Sequence, residues 1–146
     1  QIDTDLELLF PDSYVNFVEE RLRIYKDLNE INSQNELEKF IISLEDRFGS
    51  MPKEAKDLIE SMKIKWLGTE LGLGKIILKS GKMILHFNEN KGNEPHENII
   101  STFLKKIQES PSRYRMKQTN RLSIIIESVK SVHDAFITLQ EIKNPE

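Results

Sequence analysis

The stretch Asn35–Phe87, NELEKFIISLEDRFGSMPKEAKDLIESMKIKWLGTELGLGKIILKSGKMILHF, decides the fold because its apolar residues change their period within it. The first part has apolar residues at three- and four-residue spacing, which is typical of helices that bury one face. From Lys75 onward the period falls from 3.6 to 2, which predicts strands. We therefore expect two helices followed by a β-hairpin.

The boundaries of the two helices are marked by residues with specific backbone roles. Ser33 followed by Glu36 forms a capping box, in which the hydroxyl and the carboxylate each bind a free backbone N–H. Gly49 suits a residue with positive φ at the end of this helix, and Pro52 suits the first turn of the next one. The inward stripe predicted for the first of the two helices is Leu37, Phe40, Ile41, Leu44 and Phe48.

Upstream of this stretch, the sequence predicts one strand and one more helix. The apolar run Asp5–Phe10, closed by Pro11, favours a strand. Asp12 or Ser13 is expected to cap the helix that follows. Its predicted buried stripe is Tyr14, Val18, Leu22, Tyr25 and Leu28.

Downstream of the hairpin, whose turn is Ser80-Gly81, the pattern predicts a helix, two strands and a final helix. A polar loop at residues 88–95 leads into the helix. Tyr114 and Met116 alternate with basic residues, which predicts a strand with one face in the core. Leu122–Glu127 gives the strongest strand signal, and Ser131 is expected to cap the last helix.

The predicted order of elements is β-α-α-α-β-β-α-β-β-α. Strands joined by tight hairpins pair antiparallel, and helices that cover one face of such a sheet make two layers. The chain of 146 residues is long enough for one domain with a real core. We therefore expect an α+β, two-layer domain, with helices packed on a largely antiparallel sheet.

The composition excludes several classes of function. The chain has no cysteine, which excludes disulfides, thiolate metal sites and a cysteine nucleophile. Its net charge of −3 argues against a dedicated nucleic-acid-binding protein. No apolar run approaches the roughly 20 residues that a membrane span needs. The chain begins at Gln1 rather than at a methionine, so we expect it to be a piece of a larger protein.

No catalytic, cofactor-binding or metal site is predicted. The residues Gly72-Leu73-Gly74-Lys75 resemble part of a phosphate-binding loop, but they follow a helix and enter a strand, which is the reverse of that motif's context. A helix stop is the better interpretation. The three histidines, His86, His96 and His133, lie far apart and lack the spacing of metal ligands.

Two surfaces remain as candidates for binding. The first is the outer face of the helix that carries LEDRFG, on which four residues project together: Lys39, Ile42, Ser43 and Asp46. An exposed isoleucine beside polar groups is typical of a modest docking surface, although a single exposed isoleucine is also normal.

The second surface is basic. It comprises Arg113, Arg115, Lys117 and Arg121, extended by Lys105 and Lys106. Such a strand face could contact phosphates, which makes an accessory nucleic-acid-binding module the alternative function. An ordinary solvated sheet face is the other interpretation. No aromatic residue is predicted to be exposed between the cations, so base stacking is not indicated.

Several segments in a fixed order carry a family resemblance. These are IDTDLELLFPDSYV, RLRIYKDL, NELEKFIISLEDRFGSMP, KWLGTELGLGKIILK and RYRMKQTNRLSI, and together they span nearly the whole chain. The chain resembles the C-terminal domain of bacterial transcription-repair coupling factors. The resemblance implies that residues 1–146 form a single regulatory domain, with residues 1–11 as the linker and first strand after a motor.

The resemblance also implies a function. The full-length family protein is an ATP-dependent translocase on double-stranded DNA that displaces stalled RNA polymerase and recruits UvrA for nucleotide excision repair in the bacterial cytoplasm. ATP and magnesium belong to the upstream motor, so no cofactor and no catalysis are implied for this chain, and no membrane partner. The domain is implied to be autoinhibitory, docking on the N-terminal UvrA-recruiting module.

The family contact lies on the outer face of the LEDRFG helix, where acidic side chains meet a basic partner. Asp46 falls on the family's acidic position. The position one turn earlier, which is often acidic in the family, is Ser43. The resemblance therefore implies one carboxylate at this contact rather than two, unless a shifted docking angle brings in Glu45 or Glu38.

Overall fold

The structure, a computed structural model, describes residues 1–88 and 97–145. Within these ranges the elements follow the predicted order, and the predicted loop at residues 88–95 lies almost wholly outside them. The bounds are β1 Ile2–Thr4, α1 Val18–Asn29, α2 Gln34–Phe48, α3 Lys53–Glu70, β2 Leu73–Lys79, β3 Lys82–Phe87, α4 Glu97–Glu109, β4 Tyr114–Gln118, β5 Leu122–Glu127 and α5 Val132–Lys143.

The strands form one sheet in the order β1-β2-β3-β5-β4. The pairs β2–β3, β3–β5 and β4–β5 are antiparallel, whereas β1 runs parallel to β2. The prediction of an α+β fold with a largely antiparallel sheet is therefore confirmed. At the β2–β3 turn, Ser80 and Gly81 have φ angles of +55° and +72°, which are typical of a tight hairpin.

The chain divides into two compact units. One comprises residues 1–6 and 60–146 and contains the sheet with α4 and α5. The other comprises residues 7–59 and contains α1 and α2. We refer to them as the sheet unit and the helical unit.

In the sheet unit, one face of the sheet forms the core. Ile76, Leu85 and Ile124 are neighbours across β2, β3 and β5, and all are buried. From the helical layer, the Phe103 ring of α4 meets the Phe87 ring edge-on at 5.8 Å. On the other face of the sheet, Ile77, Ile84 and Ile125 keep part of their surface in solvent, whereas Ser123 is buried.

In the helical unit, α1 and α2 bury Leu28, Leu37 and Leu44. The segment before α1 is fixed by Phe10, whose ring lies 5.1 Å from that of Tyr25 and whose backbone N–H donates to the Tyr25 hydroxyl at 2.8 Å. Aromatic packing and a hydrogen bond thus hold the segment before α1 against α1.

The predicted strand at Asp5–Phe10 is wrong, since β1 is Ile2–Thr4. The reason is the side chain of Thr4, whose hydroxyl donates to the Leu78 carbonyl at 2.7 Å and accepts from the Leu6 N–H at 3.1 Å. This local hydrogen bond competes with strand continuation and ends β1. The apolar run that follows is loop, and it leads to the buried Phe10.

The predicted start of α1 at Asp12 or Ser13 is also wrong. The carbonyl of Pro11 accepts from the N–H groups of Tyr14 and Val15, so that these residues form a separate turn. The helix itself begins at Val18 without a side-chain cap. Asp12 and Ser13, which were expected to cap the helix, lie in this turn instead.

The shift changes which side chains α1 buries. Ile24 and Leu28 face the core, whereas Val18 and Leu22 are 57% and 62% exposed. The predicted buried stripe is therefore wrong at Val18 and Leu22.

None of the helices in the described ranges combines the length and the hydropathy required to span a lipid bilayer.

Candidate docking surface

The outer face of α2 consists of Lys39, Ile42, Ser43 and Asp46, which recur at three- and four-residue spacing. All four residues are exposed, and Ile42 leaves 70% of its surface in solvent. The structure therefore brings together the four residues that the sequence selected. Whether they dock on a partner stays a prediction.

The inner side of α2 holds the helix in place. Leu37 and Leu44 are fully buried, and Phe40, Ile41 and Phe48 are partly buried. The ring of Phe48 lies 5.8 Å from that of Tyr14. Because the inner side is packed, the outer face is presented on a rigid element.

Both ends of α2 are fixed by hydrogen bonds. The Ser33 hydroxyl accepts from the Glu36 N–H at 3.2 Å, which confirms the N-cap. The Glu36 carboxylate accepts from the Ser33 hydroxyl at 3.2 Å, whereas the predicted capping box pairs it with the Ser33 backbone N–H. At the other end, Gly49 has the predicted positive φ of +86°, and its carbonyl accepts from the Tyr14 hydroxyl at 2.6 Å.

An ion pair joins α2 to α1 beside this face. The Arg47 guanidinium lies 2.6 Å from the Glu20 carboxylate and 4.8 Å from the centre of the Phe48 ring. Arg47 therefore has partners within the helical unit and serves its structure.

The charges at the outer face itself are unpaired. Within residues 1–88 and 97–145, no salt bridge involves Lys39 or Asp46. An exposed charge without an intramolecular partner loses no internal contact when a partner protein binds it. Asp46 can therefore supply the carboxylate that the resemblance implies.

Glu45 and Glu38 already have internal partners. The Glu45 carboxylate accepts from the Met51 N–H at 3.2 Å, and it lies near Tyr14. Burial raises the pKa of the Tyr14 hydroxyl, and the negative charge of Glu45 raises it further. The Glu38 carboxylate accepts from the Gln34 amide at 3.3 Å. Glu45 therefore faces the corner after α2, and its role at a docking contact stays a prediction.

A small groove between α1 and α2 adds a residue that the sequence did not suggest. It has a volume of about 80 Å³, and Ser43 lines it together with Asp27 of α1. Asp27 thus lies beside Ser43 and adds an exposed carboxylate to that of Asp46, which is outside the groove. Two helices contribute to this groove, and single-helix spacing could not reveal the pairing.

Three exposed apolar residues near the start of α1 were also missed. Phe17 is 73% exposed, and Val18 and Leu22 follow it on α1. Since Val18 and Leu22 are four residues apart, they share one helix face. The sequence contains the helical spacing of Val18 and Leu22, but that spacing predicts a buried stripe rather than an exposed one.

The predicted basic surface is divided by the fold. Arg115 and Lys117 share the outer face of β4, whereas Arg113 precedes the strand and Arg121 follows it. Arg115 binds the Glu127 carboxylate at 2.5 Å, and the Arg113 Nε donates to the Glu127 carbonyl at 3.3 Å. Lys105 and Lys106 lie on α4. The accessory nucleic-acid-binding role stays a prediction.

Met116 was predicted to face the core, and its register opposite Ile124 does place it on the core face. It is nevertheless 38% exposed because β4 is an edge strand.

The helix stop predicted at Gly72 agrees with its positive φ of +79°, directly after α3.

The predicted absence of a metal site concerns three histidines. His86 Nδ1 lies 2.6 Å from the Ser123 hydroxyl, and His133 Nδ1 lies 2.7 Å from the Glu60 carboxylate. His96 lies outside the described residues. Among the residues that the structure describes, no group of three or more His, Asp or Glu side chains is arranged to hold a metal ion.

Known proteins resemble this chain in sequence. The sequence profile of the TRCF domain matches residues 4–98. The transcription-repair-coupling factor of Escherichia coli (strain K12) is 26% identical over 125 residues, which is 86% of this chain and 10% of that protein. The transcription-repair-coupling factor of Buchnera aphidicola subsp. Baizongia pistaciae is 30% identical over 125 residues, which is 84% of this chain and 17% of that protein.

A solved structure also has a fold similar to that of this chain. The crystal structure of the C-terminal domain of a transcription-repair coupling factor matches all of this chain and 94% of its own, with a TM-score of 0.73 and 16% identity. The chain thus has the α+β fold of that domain, and it spans about a tenth of the E. coli relative. On the match over residues 4–98, the chain belongs to the TRCF domain family, the family of the transcription-repair coupling factors.

Proposed function

We propose that this chain is the non-catalytic regulatory domain of a transcription-repair coupling factor. In the full-length protein it docks through the outer face of α2 on the N-terminal module that recruits UvrA. Docking masks that module and restrains an ATP-dependent motor, with its own ATP and magnesium site, that moves on double-stranded DNA. Release follows when the motor engages stalled RNA polymerase in the bacterial cytoplasm.

The observation that carries the proposal is the composition of the α2 face. Ile42 is 70% exposed between the unpaired charges Lys39 and Asp46, on a helix whose inner side is packed. An exposed aliphatic side chain with a polar rim is what an interface that forms and separates requires. Asp27, on the groove beside Ser43, adds a second carboxylate for a basic partner.

Several contacts must act together for such a switch to work. An exposed ion pair contributes only about 0–1 kcal/mol, so that Asp46 alone cannot hold the domain. Burial of Ile42 contributes about 2 kcal/mol more, since a fully buried isoleucine is worth about 1.5–3 kcal/mol. The engaged state of the motor must bind the domain less favourably than the resting state, because a ligand shifts an equilibrium only by its differential affinity.

The test is the charge reversal Asp46→Lys in the full-length protein. We expect a higher ATPase rate and tighter UvrA binding without RNA polymerase, by about twofold to tenfold, because repulsion from a basic partner adds to the lost attraction. The measurements are steady-state ATP hydrolysis and UvrA affinity by fluorescence anisotropy. Ile42→Ser should act in the same direction through lost apolar burial.

The matched control is Glu109→Lys, a reversal at an exposed carboxylate at the end of α4 in the sheet unit. We expect wild-type behaviour from it. Unchanged basal ATPase and unchanged UvrA affinity in both Asp46→Lys and Ile42→Ser would show that the α2 face is not the docking surface.

A further inference from the structure

The face of the sheet opposite the core carries a row of isoleucines. The register places Ile77 of β2 opposite Ile84 of β3, and Ile84 opposite Ile125 of β5. The three side chains therefore lie side by side on adjacent strands, and each is partly exposed. The row belongs to the sheet unit, whereas the α2 face belongs to the helical unit.

Unpaired cations lie on both sides of this row. On one side, Lys82 lies two residues before Ile84 on β3 and therefore on the same face. On the other side, the adjacent row contains Lys75 and Lys117, together with His86 and Ser123. In the described residues, no salt bridge involves Lys75, Lys82 or Lys117.

Among the described residues, two other cations of this face are paired with carboxylates. Lys79 pairs with Asp3 at 3.0 Å, and Arg115 pairs with Glu127 at 2.5 Å. The face is therefore positive, although the chain has a net charge of −3.

This combination favours an acidic protein partner over a nucleic acid. The lysines could bind the phosphates of a nucleic acid. The isoleucine row, however, would face sugars and phosphates and would bury little apolar surface. The rows named above contain no Phe, Tyr or Trp on which a base could stack, and their one aromatic ring, the imidazole of His86, is hydrogen-bonded to Ser123. A polypeptide with apolar side chains between carboxylates matches both the row and its flanks.

The spacing of the row favours a helix over a strand. Adjacent strands lie about 4.8 Å apart, so that Ile77 and Ile125 are separated by about 10 Å. A helix rises 5.4 Å per turn, which places apolar residues at i, i+3 or i+4, and i+7 about 5 and 10 Å along its axis. Side chains on one face of a strand repeat at about 6.7 Å and fall out of step with the row.

We propose that the isoleucine row and its flanking lysines form a docking site for an acidic amphipathic helix. The helix lies across the central strands, with one apolar side chain over each isoleucine. Its carboxylates face Lys82 on one side and Lys75 and Lys117 on the other. The helix would add a layer to an open sheet face, as helices commonly do in layered α/β folds.

The probe for this site is a fluorescein-labelled synthetic peptide of about 15 residues, held helical by a side-chain staple. It carries leucines at i, i+4 and i+7, and glutamates on both flanks. With the chain of residues 1–146 we expect saturable binding by fluorescence anisotropy, weakened as salt rises. NMR shift changes should map to β2, β3 and β5.

Two variants test the residues. Ile84→Thr keeps a β-branched side chain, and we expect it to weaken binding about fivefold to tenfold. Lys82→Glu should weaken it at least as much and reduce its salt dependence. The matched control is Ile137→Thr, which changes an isoleucine of α5 that is 38% exposed, and it should bind as the wild type does.

Three results would overturn the proposal. The first is no binding of the acidic peptide. The second is equal binding of a peptide in which lysines replace the glutamates. The third is loss of binding in Ile137→Thr but not in Ile84→Thr. A fluorescent oligothymidine that binds in place of the peptide, and is lost in Lys82→Glu, would assign the face to nucleic acid instead.

Discussion

His86 shows how the environment of one residue contributes to the pH dependence of stability. Its ring lies on the sheet face opposite the core, with Nδ1 2.6 Å from the Ser123 hydroxyl. Burial lowers the pKa of His86 below its usual 6.5, and the positive charges of Arg121 and Lys75 lower it further. The folded state therefore favours the neutral imidazole.

The expected consequence is a loss of stability in mild acid. Because the folded pKa of His86 is lower than the unfolded one, the unfolded state binds more protons as the pH falls through about 6.5, which favours unfolding. His86→Gln should therefore reduce the loss of unfolding free energy between pH 7 and pH 5. Urea unfolding at several pH values measures this.

The control for this prediction is His133→Gln, which changes a histidine on α5 and leaves His86 in place. It should retain the part of the pH dependence that belongs to His86. An identical pH profile in wild type and His86→Gln would contradict the role assigned to this residue.

At the scale of elements, the sheet unit depends on the contact between α4 and β3. Phe103 is completely buried and meets the ring of Phe87 edge-on, whereas its neighbour Leu104 is 45% exposed. One face of α4 thus packs in the core, and the opposite face is exposed to solvent.

Truncation of Phe103 tests this packing. Phe103→Ala should lower the free energy of unfolding by about 3–5 kcal/mol, through lost apolar burial and the cavity left behind. Leu104→Ala is the matched control and should change it by less than about 1 kcal/mol, since the side chain is largely solvated. The measurement is chemical denaturation. Similar losses in both variants would mean that α4 packs with a different face inward.

The sequence predicted most elements because their signals are local. Gly49 and the Ser80-Gly81 turn require positive φ, and Ser33 caps α2 with its own side chain. The predicted start of α1 is wrong because of a local turn at Pro11, whereas the predicted first strand is wrong where a contact is distant. Thr4 ends β1 through the Leu78 carbonyl, which is 74 residues away.

The part of the candidate site that lies on one helix was predictable from the sequence, and the part that depends on packing between helices was not. Lys39, Ile42, Ser43 and Asp46 follow from the spacing of one helix, and the structure confirms that all are exposed. Asp27 was not predictable, because it reaches the groove only through the packing of α1 on α2. The isoleucine row depends on the register of three strands, which alternation within one strand does not fix.

At the scale of the whole molecule, the division into two units predicts two levels of stability. The helical unit has its own buried residues, including Leu37 and Leu44, and the sheet unit has the central strands β3 and β5 with ladders on both sides. Segments with separate packing can open separately. We therefore expect local opening of the helical unit without loss of the sheet.

Leu37→Ala tests this by hydrogen exchange. The lost burial is worth about 2–5 kcal/mol, and we expect amides in α1 and α2 to exchange at least tenfold faster, with β3 and β5 amides little changed. The converse variant, Leu85→Ala in β3, should lower protection in the sheet. A uniform loss of protection in both variants would mean that the chain unfolds as one cooperative unit.

The division also has a consequence for the order of events during synthesis. The helical unit is the continuous segment 7–59, inserted between β1 and the rest of the sheet unit. It can therefore fold on the ribosome while β1 still lacks its partner, since Ile2 pairs with Ile76. At about 5–20 residues per second, β1 waits roughly 4–15 s for β2 to be made.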